Sequence, residues 1–161
     1  MEIRLESAFE HKNEVRGLFK EYLDMVVENE PGFKDYLALQ NIDDEIAHLE
    51  HKYSSPEGRL YVLFCDNKPA GCVGLKKFDD FGKCEIKRLY VKPEFRGHNL
   101  GTFLTEKIIE DARKEGYKEM YLDTFSFLKS ALKLYKSLGF YEVESYNNSP
   151  MDNLIYLRYD L

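Results

Sequence analysis

The chain has no tryptophan, only three cysteines among 161 residues, no basic surplus and no long apolar run. Lysine and arginine total 23 against 29 aspartates and glutamates, a formal net charge of −6. Nucleic-acid-binding domains normally carry a basic excess, so no nucleic-acid partner is expected, whereas a small cationic substrate is compatible. A membrane span needs roughly 18 successive apolar residues, and no run here approaches that, so no membrane partner is expected. Met1-Glu2-Ile3-Arg4 does not open a signal peptide. The cysteines, Cys65, Cys72 and Cys84, are odd in number, lack C-x-x-C spacing and fall inside predicted strands. They read as buried, reduced thiols of a cytoplasmic protein. The alternative, a nucleophilic cysteine, has no histidine close in sequence to support it.

What is present is the pattern of one domain, residues 1–161, with no repeat, linker or low-complexity tract. Residues 2–6 alternate as a first strand. Ser7-Ala8-Phe9-Glu10 is a capping box opening a helix whose apolar face is Val15, Leu18, Phe19, Tyr22 and Val26, ended by Pro31-Gly32. A second helix is predicted from about Asp43 to His51. His48 and His51 on it have no Cys or third His beside them, so they read as solvated surface and no metal is expected. Residues 60–65 are apolar throughout, a strand covered on both faces, and residues 70–76 return as its hairpin partner. Gly71 and Gly74 thin that partner, as where something approaches its backbone.

The stretch that organises the rest is Leu89-Tyr90-Val91-Lys92-Pro93-Glu94-Phe95-Arg96-Gly97-His98-Asn99-Leu100-Gly101-Thr102. It reads as a strand end, a basic glycine turn and the first turn of a helix. Leu100, Phe103, Leu104, Ile108 and Ala112 then fall at helical spacing, and Gly116 stops the helix. Another apolar run follows over residues 117–123, so strand, loop, helix and strand close as a right-handed parallel crossover. Free amides at the helix N-terminus, aided by the helix dipole, make the loop an anion site. In the preceding strand Cys84 and Ile86 share one phase, Leu89 and Val91 the other. Either one extra residue near Lys87-Arg88 forms a β-bulge, or both faces are buried and phase means little.

The P-loop and dinucleotide patterns are both absent. Arg96-Gly97-His98-Asn99-Leu100-Gly101 instead resembles the R-x-x-G-x-[GA] signature of the GNAT family, the acyl-CoA-dependent N-acetyltransferases, with Asn99 where the pattern has glycine. Asn tolerates positive φ better than other non-glycine residues. A second stretch, residues 131–140, is similar to the family's A-x-x-L-Y-x-x-x-G-F, with Leu128 where members often carry Asn.

The resemblance implies an α/β fold: a mixed, mostly antiparallel central sheet with a parallel, splayed pair of middle strands and flanking helices. It favours the bulge, which splays the key strand. It implies acetyl-CoA as cosubstrate, with pyrophosphate held by Arg96, Gly97, His98, Asn99, Leu100, Gly101 and Thr102. Backbone N–H groups of Leu89, Tyr90 and Val91 would meet pantetheine and the oxyanion, and Lys136 would reach the nucleotide phosphates. Tyr135 would protonate the leaving thiolate, and Glu85 would act as general base on the acceptor or bind a cationic substrate. Without the family, the spacing of Tyr135 favours a core tyrosine, and Glu85 reads equally as a strand carboxylate pairing with a neighbouring lysine. The activity implied is acetyl transfer to a primary amine of a small molecule or peptide by direct attack. The competing class is a non-catalytic CoA-binding domain. Tyr146, Asn147 and Asn148 are candidates for the acceptor rim, and a homodimer is left open.

Overall fold

The computed structural model describes residues 1–161. Seven strands form one sheet: β1 (Ile3–Ser7), β2 (Arg59–Cys65), β3 (Lys68–Lys77), β4 (Lys83–Val91), β5 (Glu119–Phe125), β6 (Tyr141–Val143) and β7 (Leu154–Asp160). Their spatial order is β1-β2-β3-β4-β5-β7-β6. Every neighbouring pair is antiparallel except β4 with β5. The helices are α1 (Lys12–Asn29), α2 (Phe33–Leu39), α3 (Ile42–Ala47), α4 (Glu50–Tyr53), α5 (Leu100–Lys114) and α6 (Lys129–Leu138). None is long and apolar enough to cross a membrane.

The bulge in β4 resolves the phase conflict. Cys72 faces Tyr90 and Gly74 faces Lys87, so two steps along β3 match three along β4. Arg88 takes φ +57°, the left-handed region a bulge needs. As a result Cys84, Ile86, Leu89 and Val91 all pack against the α5 side of the sheet, with Leu104, Ile108 and Ala112 of that helix. Glu85 and Lys87, in the opposite phase of β4, face the other side, where α1 and α4 bury Leu18, Phe19, Leu49 and Tyr53 against β2 and β3.

Beyond the bulge, β4 leaves its parallel neighbour. The β4–β5 ladder holds only Lys83 with Glu119, Cys84 with Met120 and Glu85 with Tyr121. A gap therefore opens between the C-terminal ends of the two strands. Gly71 serves the β3–β4 approach, since a Cβ there would lie 2.7 Å from Tyr90 O. Gly74 makes room for a side chain, with the Tyr53 ring 2.7 Å from where its Cβ would be.

Several boundaries differ from the sequence expectation. Ser7 caps a single 3-10 turn (Ala8–Glu10), accepting from the Phe9 N–H at 3.4 Å, and α1 starts only at Lys12. After Pro31-Gly32 the chain turns straight into α2, which buries Phe33 and Leu37. The predicted helix around residues 43–51 is broken into α3 and α4, because His48 leaves helical geometry at φ −130°, ψ 68°. All three cysteines are free and buried. Burial raises each thiol, Cys72 to about 12, which leaves no thiolate nucleophile at neutral pH.

Candidate active site

The loop before α5 leaves its backbone N–H groups unpaired. Asn99 occupies the N-cap at φ 58°, ψ 26°, and its side chain caps nothing. No backbone N–H of residues 97–102 finds an acceptor in the chain; the first such bond runs from Phe103 N–H to Asn99 O, 3.0 Å. Gly97 adds φ +86° and open space where a Cβ would stand. Six successive amides thus stand free at the positive end of a 15-residue helix, an end that favours negative charge. Arg96 is exposed, its Nε donating to Val91 O at 3.0 Å, so the guanidinium lies across the end of β4. His98 and Thr102 flank the amides, and Leu100 anchors the helix start in the core.

Val91 connects this loop to the gap. Lys92 N–H bonds to Ala70 O of β3 at 2.8 Å. Antiparallel alternation then turns the Val91 N–H the other way, toward the side from which β5 has withdrawn. Tyr90 lies beneath Arg96, the guanidinium carbon 5.9 Å from its ring centre.

Tyr135 comes from α6. Its ring packs 5.5 Å from Phe140 and shares a core cluster with Leu100. It is only 6% exposed, and its hydroxyl bonds to nothing in the chain. Yet no fully buried side-chain polar atom lacks a partner. The hydroxyl must therefore open onto accessible space. Burial above all, with the Asp123 carboxylate adding to it, pushes its phenol well above the usual 10. It stays protonated at neutral pH and can donate a proton. Lys136, the next residue, pairs with Glu142 at 2.9 Å rather than standing free for a phosphate.

Glu85 is 5% exposed. Its Oε2 accepts from the Tyr146 hydroxyl at 2.8 Å, and Lys76 Nζ stands 3.5 Å from Oε1. Tyr146 is wedged among Phe78, Tyr121 and Tyr156 at ring separations of 5.0–5.5 Å. Its loop thus covers Glu85, with Tyr146 at the centre of the cover. Burial first, then the charges of Glu85 and Asp123, push the Tyr146 phenol far up, so it remains a donor.

On the same sheet face a small cavity lies over the gap. Lys87 and Arg88 of β4 form one wall, Asp123, Thr124 and Phe125 of β5 the other, with Tyr22, Phe33, Tyr36 and Gln40 above. Arg88 is already neutralised. Its Nε and a terminal nitrogen donate to the two oxygens of buried Glu45 at 2.8 and 3.1 Å. Lys52 Nζ at 2.6 Å and the Tyr53 hydroxyl at 3.1 Å complete that cluster. Burial alone would raise the Glu45 carboxyl, but Arg88 and Lys52 outweigh it and hold it at about 2. Asp123 accepts from Asn147 at 3.0 Å, and its charge is felt by Tyr22, Tyr135 and Tyr146.

Residues 18–140 match the model of the acetyltransferase (GNAT) family. The chain belongs to the GNAT family. As a GNAT protein it is an N-acetyltransferase, within the acyltransferases. A Schizosaccharomyces pombe protein described as an uncharacterised N-acetyltransferase is 44% identical over 126 residues, 78% of this chain and 77% of its own. A GNAT acetyltransferase structure from Staphylococcus aureus shares the fold over 99% of both chains, with TM-score 0.78 at 20% identity. A GNAT structure from Elizabethkingia anophelis with acetyl-CoA bound covers 65% of this chain and 77% of its own, TM-score 0.55, at 26% identity.

Three residues in or beside this cavity carry no signal in the sequence. Asp123 belongs to no motif of the sequence, and only the alternation of β5 puts it on the face opposite the core residues Met120 and Leu122. Glu45 lies on a helix whose breaks blurred its apolar pattern, and it meets Arg88 only through the fold. Tyr22 reads as a core position, yet its side chain reaches the cavity. His48 and His51, on the outer surface, stack at 4.7 Å and both face Asp44, at 3.1 and 3.5 Å.

Proposed function

We propose that this protein transfers an acetyl group from acetyl-CoA to a primary amine of a small molecule or peptide, by direct attack. Acetyl-CoA would supply an acetyl group activated as a thioester. The single observation that carries the reading is the joining of two features. A cradle of six free amides stands at the end of the splayed strand, and an unpaired, protonated Tyr135 hydroxyl opens from the same core cluster. The acetyl-CoA held by the related Elizabethkingia structure supports it.

Arg96 and the amides of residues 97–102 would hold the pyrophosphate. Asn99 leaves its own helix uncapped, so those amides are not used up inside the chain. The Val91 N–H would serve the carbonyl oxygen as charge gathers on it. Tyr135 would give its proton to the departing sulfur, its raised phenol keeping that proton in place until charge develops on the thiolate as the C–S bond breaks.

The amine must lose a proton before or as it attacks. Two carboxylates share the acceptor face. Asp123 stands in the cavity wall and electrostatically couples to Tyr135. Glu85 lies under Tyr146 and needs that cover displaced to meet an amine directly. The arrangement supports Asp123 as the group that meets the ammonium, with Glu85 reached through the Tyr146 hydroxyl. Arg88, tied to Glu45, would hold the bulge rather than the substrate.

The test is thiol release from acetyl-CoA against a panel of amines and peptides, alongside thermal melts. Acetyl-CoA should raise the melting temperature by mass action, and at least one amine should release thiol. A melt that saturating acetyl-CoA leaves unmoved overturns the cosubstrate assignment. Tight binding with no acylated amine would favour a CoA-binding role without turnover.

A further inference from the structure

Within the cavity one cation and one anion stand without an ionic partner. Lys87 is half-buried and bonds to no carboxylate or carbonyl of the chain, although its neighbours Glu85 and Arg88 are both engaged. Asp123 is half-buried too, and its recorded partner is the neutral Asn147 amide. The two residues sit on opposite lips of the gap, Lys87 two positions beyond Glu85 and Asp123 two beyond Tyr121. Glu85 and Tyr121 are the last pair joined across the strands. Had the ladder continued, Lys87 and Asp123 would be neighbours; the bulge and splay hold them apart, and they form no ion pair. A half-buried lysine facing a half-buried carboxylate ordinarily closes on it, since each gains by pairing away from bulk water. Here the fold spends strain at Arg88 and a buried ion pair to Glu45 on keeping the lips open.

We propose that the acceptor is a free α-amino acid, whose carboxylate pairs with Lys87 and whose ammonium pairs with Asp123. Such a zwitterion carries its two charges in the order in which the cavity presents their complements. Its amine would lie on the Asp123 side, the side coupled to Tyr135. Tyr22, Phe33 and Tyr36 above the gap supply an apolar wall for the side chain. A peptide N-terminus lacks the adjacent carboxylate, and a simple amine lacks it altogether; either would leave Lys87 unpaired in the occupied site. The substrate class rests on the acetyl-transfer reading given above. In the step the ammonium passes one proton to Asp123, the amine nitrogen forms a bond to the acetyl carbon, the C–S bond breaks, the thiolate takes the proton of Tyr135, and the second proton lost by the nitrogen restores the Tyr135 phenol.

The experiment measures the twenty common L-amino acids by thiol release and, separately, by calorimetric binding to the CoA-saturated protein. The best amino acid is then compared with its amide and its decarboxylated amine. The acid should exceed both analogues by at least tenfold in kcat/KM. Lys87→Met should raise KM for the acid about 10-fold or more with a smaller change in kcat, as losing a hydrogen bond to a charged group does. The same variant should leave the amide's KM unchanged, and Lys87→Arg should restore most of the acid's affinity. Acid and amide used equally well, equal effects of Lys87→Met on both, or no amino acid bound at all would overturn the proposal. Amino acids that bind in a Lys87-dependent manner without thiol release would uphold the zwitterion site and sink the acetyl-transfer reading instead.

Discussion

Arg88 and Glu45 are joined through both carboxylate oxygens, at 2.8 and 3.1 Å, across 43 positions of sequence. Arg88 is the bulge residue of β4, and Glu45 is 1% exposed on a helix of six residues. The ion pair thus ties the least regular part of the helical layer to the point where the sheet begins to part. Removing one charge leaves the other buried and unpaired, which is strongly destabilising, whereas replacing both by apolar groups is often tolerated. Glu45→Gln should lose roughly 3–5 kcal/mol of stability in urea titrations. Arg88→Met combined with Glu45→Met should recover most of it. Equal losses for the single and double variants would show that the charges are not what holds the contact.

Acid should weaken the fold in a defined window. Glu45 titrates at about 2 in the folded chain against an ordinary 4.5. Its contribution is therefore fully present above pH 4.5 and disappears as pH falls from there through about 2. A shift of this size corresponds to ~3 kcal/mol. The stability difference between wild type and Glu45→Gln, followed by urea titration, should stay level from pH 6 to about 4.5 and shrink from there to pH 3. A difference that stays constant would contradict the linkage.

Asn99 sets the backbone of the anion loop at positive φ. Asn99→Gly should bind acetyl-CoA as well as wild type or slightly better. Asn99→Val should bind more weakly, since a β-branched residue at positive φ is strained by about 1–3 kcal/mol. Isothermal titration of both variants checks this, and equal affinities would show that the loop does not depend on that angle.

Tyr135→Phe keeps the ring and its packing against Phe140. It should lower kcat by ~10²–10⁴-fold and leave acetyl-CoA affinity nearly unchanged. Turnover at the wild-type rate would return Tyr135 to a purely structural place in the core.

The two carboxylates separate by how they are covered. Asp123→Asn should depress kcat more than Glu85→Gln. Tyr146→Phe, which removes the hydroxyl on Glu85, should alter the pH–rate profile of wild type but not that of Glu85→Gln. If Glu85→Gln is the more damaging change, the direct contact with the amine belongs to Glu85.

Much of this architecture was legible before any coordinates. The phase slip between Ile86 and Leu89 left two readings open, an inserted residue near Lys87-Arg88 or burial of both faces, and Arg88 at positive φ decides for the bulge. The glycine turn and Asn99 stood out through local spacing, whereas Tyr135 stood out only through the resemblance of residues 131–140 to the family's stretch. What stayed hidden depends on distant packing. Phe33 and Leu37 form a helix too short to show a period, so α2 was invisible. Leu49 and Tyr53 are core residues on a segment interrupted at His48. Asp123, Glu45 and Lys87 belong together only because three separate elements bring them to one face, and no local pattern encodes that. Lys136 was expected near the phosphates; its pairing with Glu142 arises from the return of β6 alongside α6, which spacing along the helix could not reveal.

The three-pair ladder between β4 and β5 has one more consequence. The backbone network of the sheet is almost cut in two, with four strands on one side and three on the other. Continuity across the cut falls to α5, which begins at the end of β4 and delivers the chain to β5, and to side chains packed over the opening. Amide exchange should therefore register two blocks, residues 3–91 and 119–160, that open with different free energies. A ligand lying in the opening would act as a missing strand between them, and its arrival should draw the two exchange profiles together.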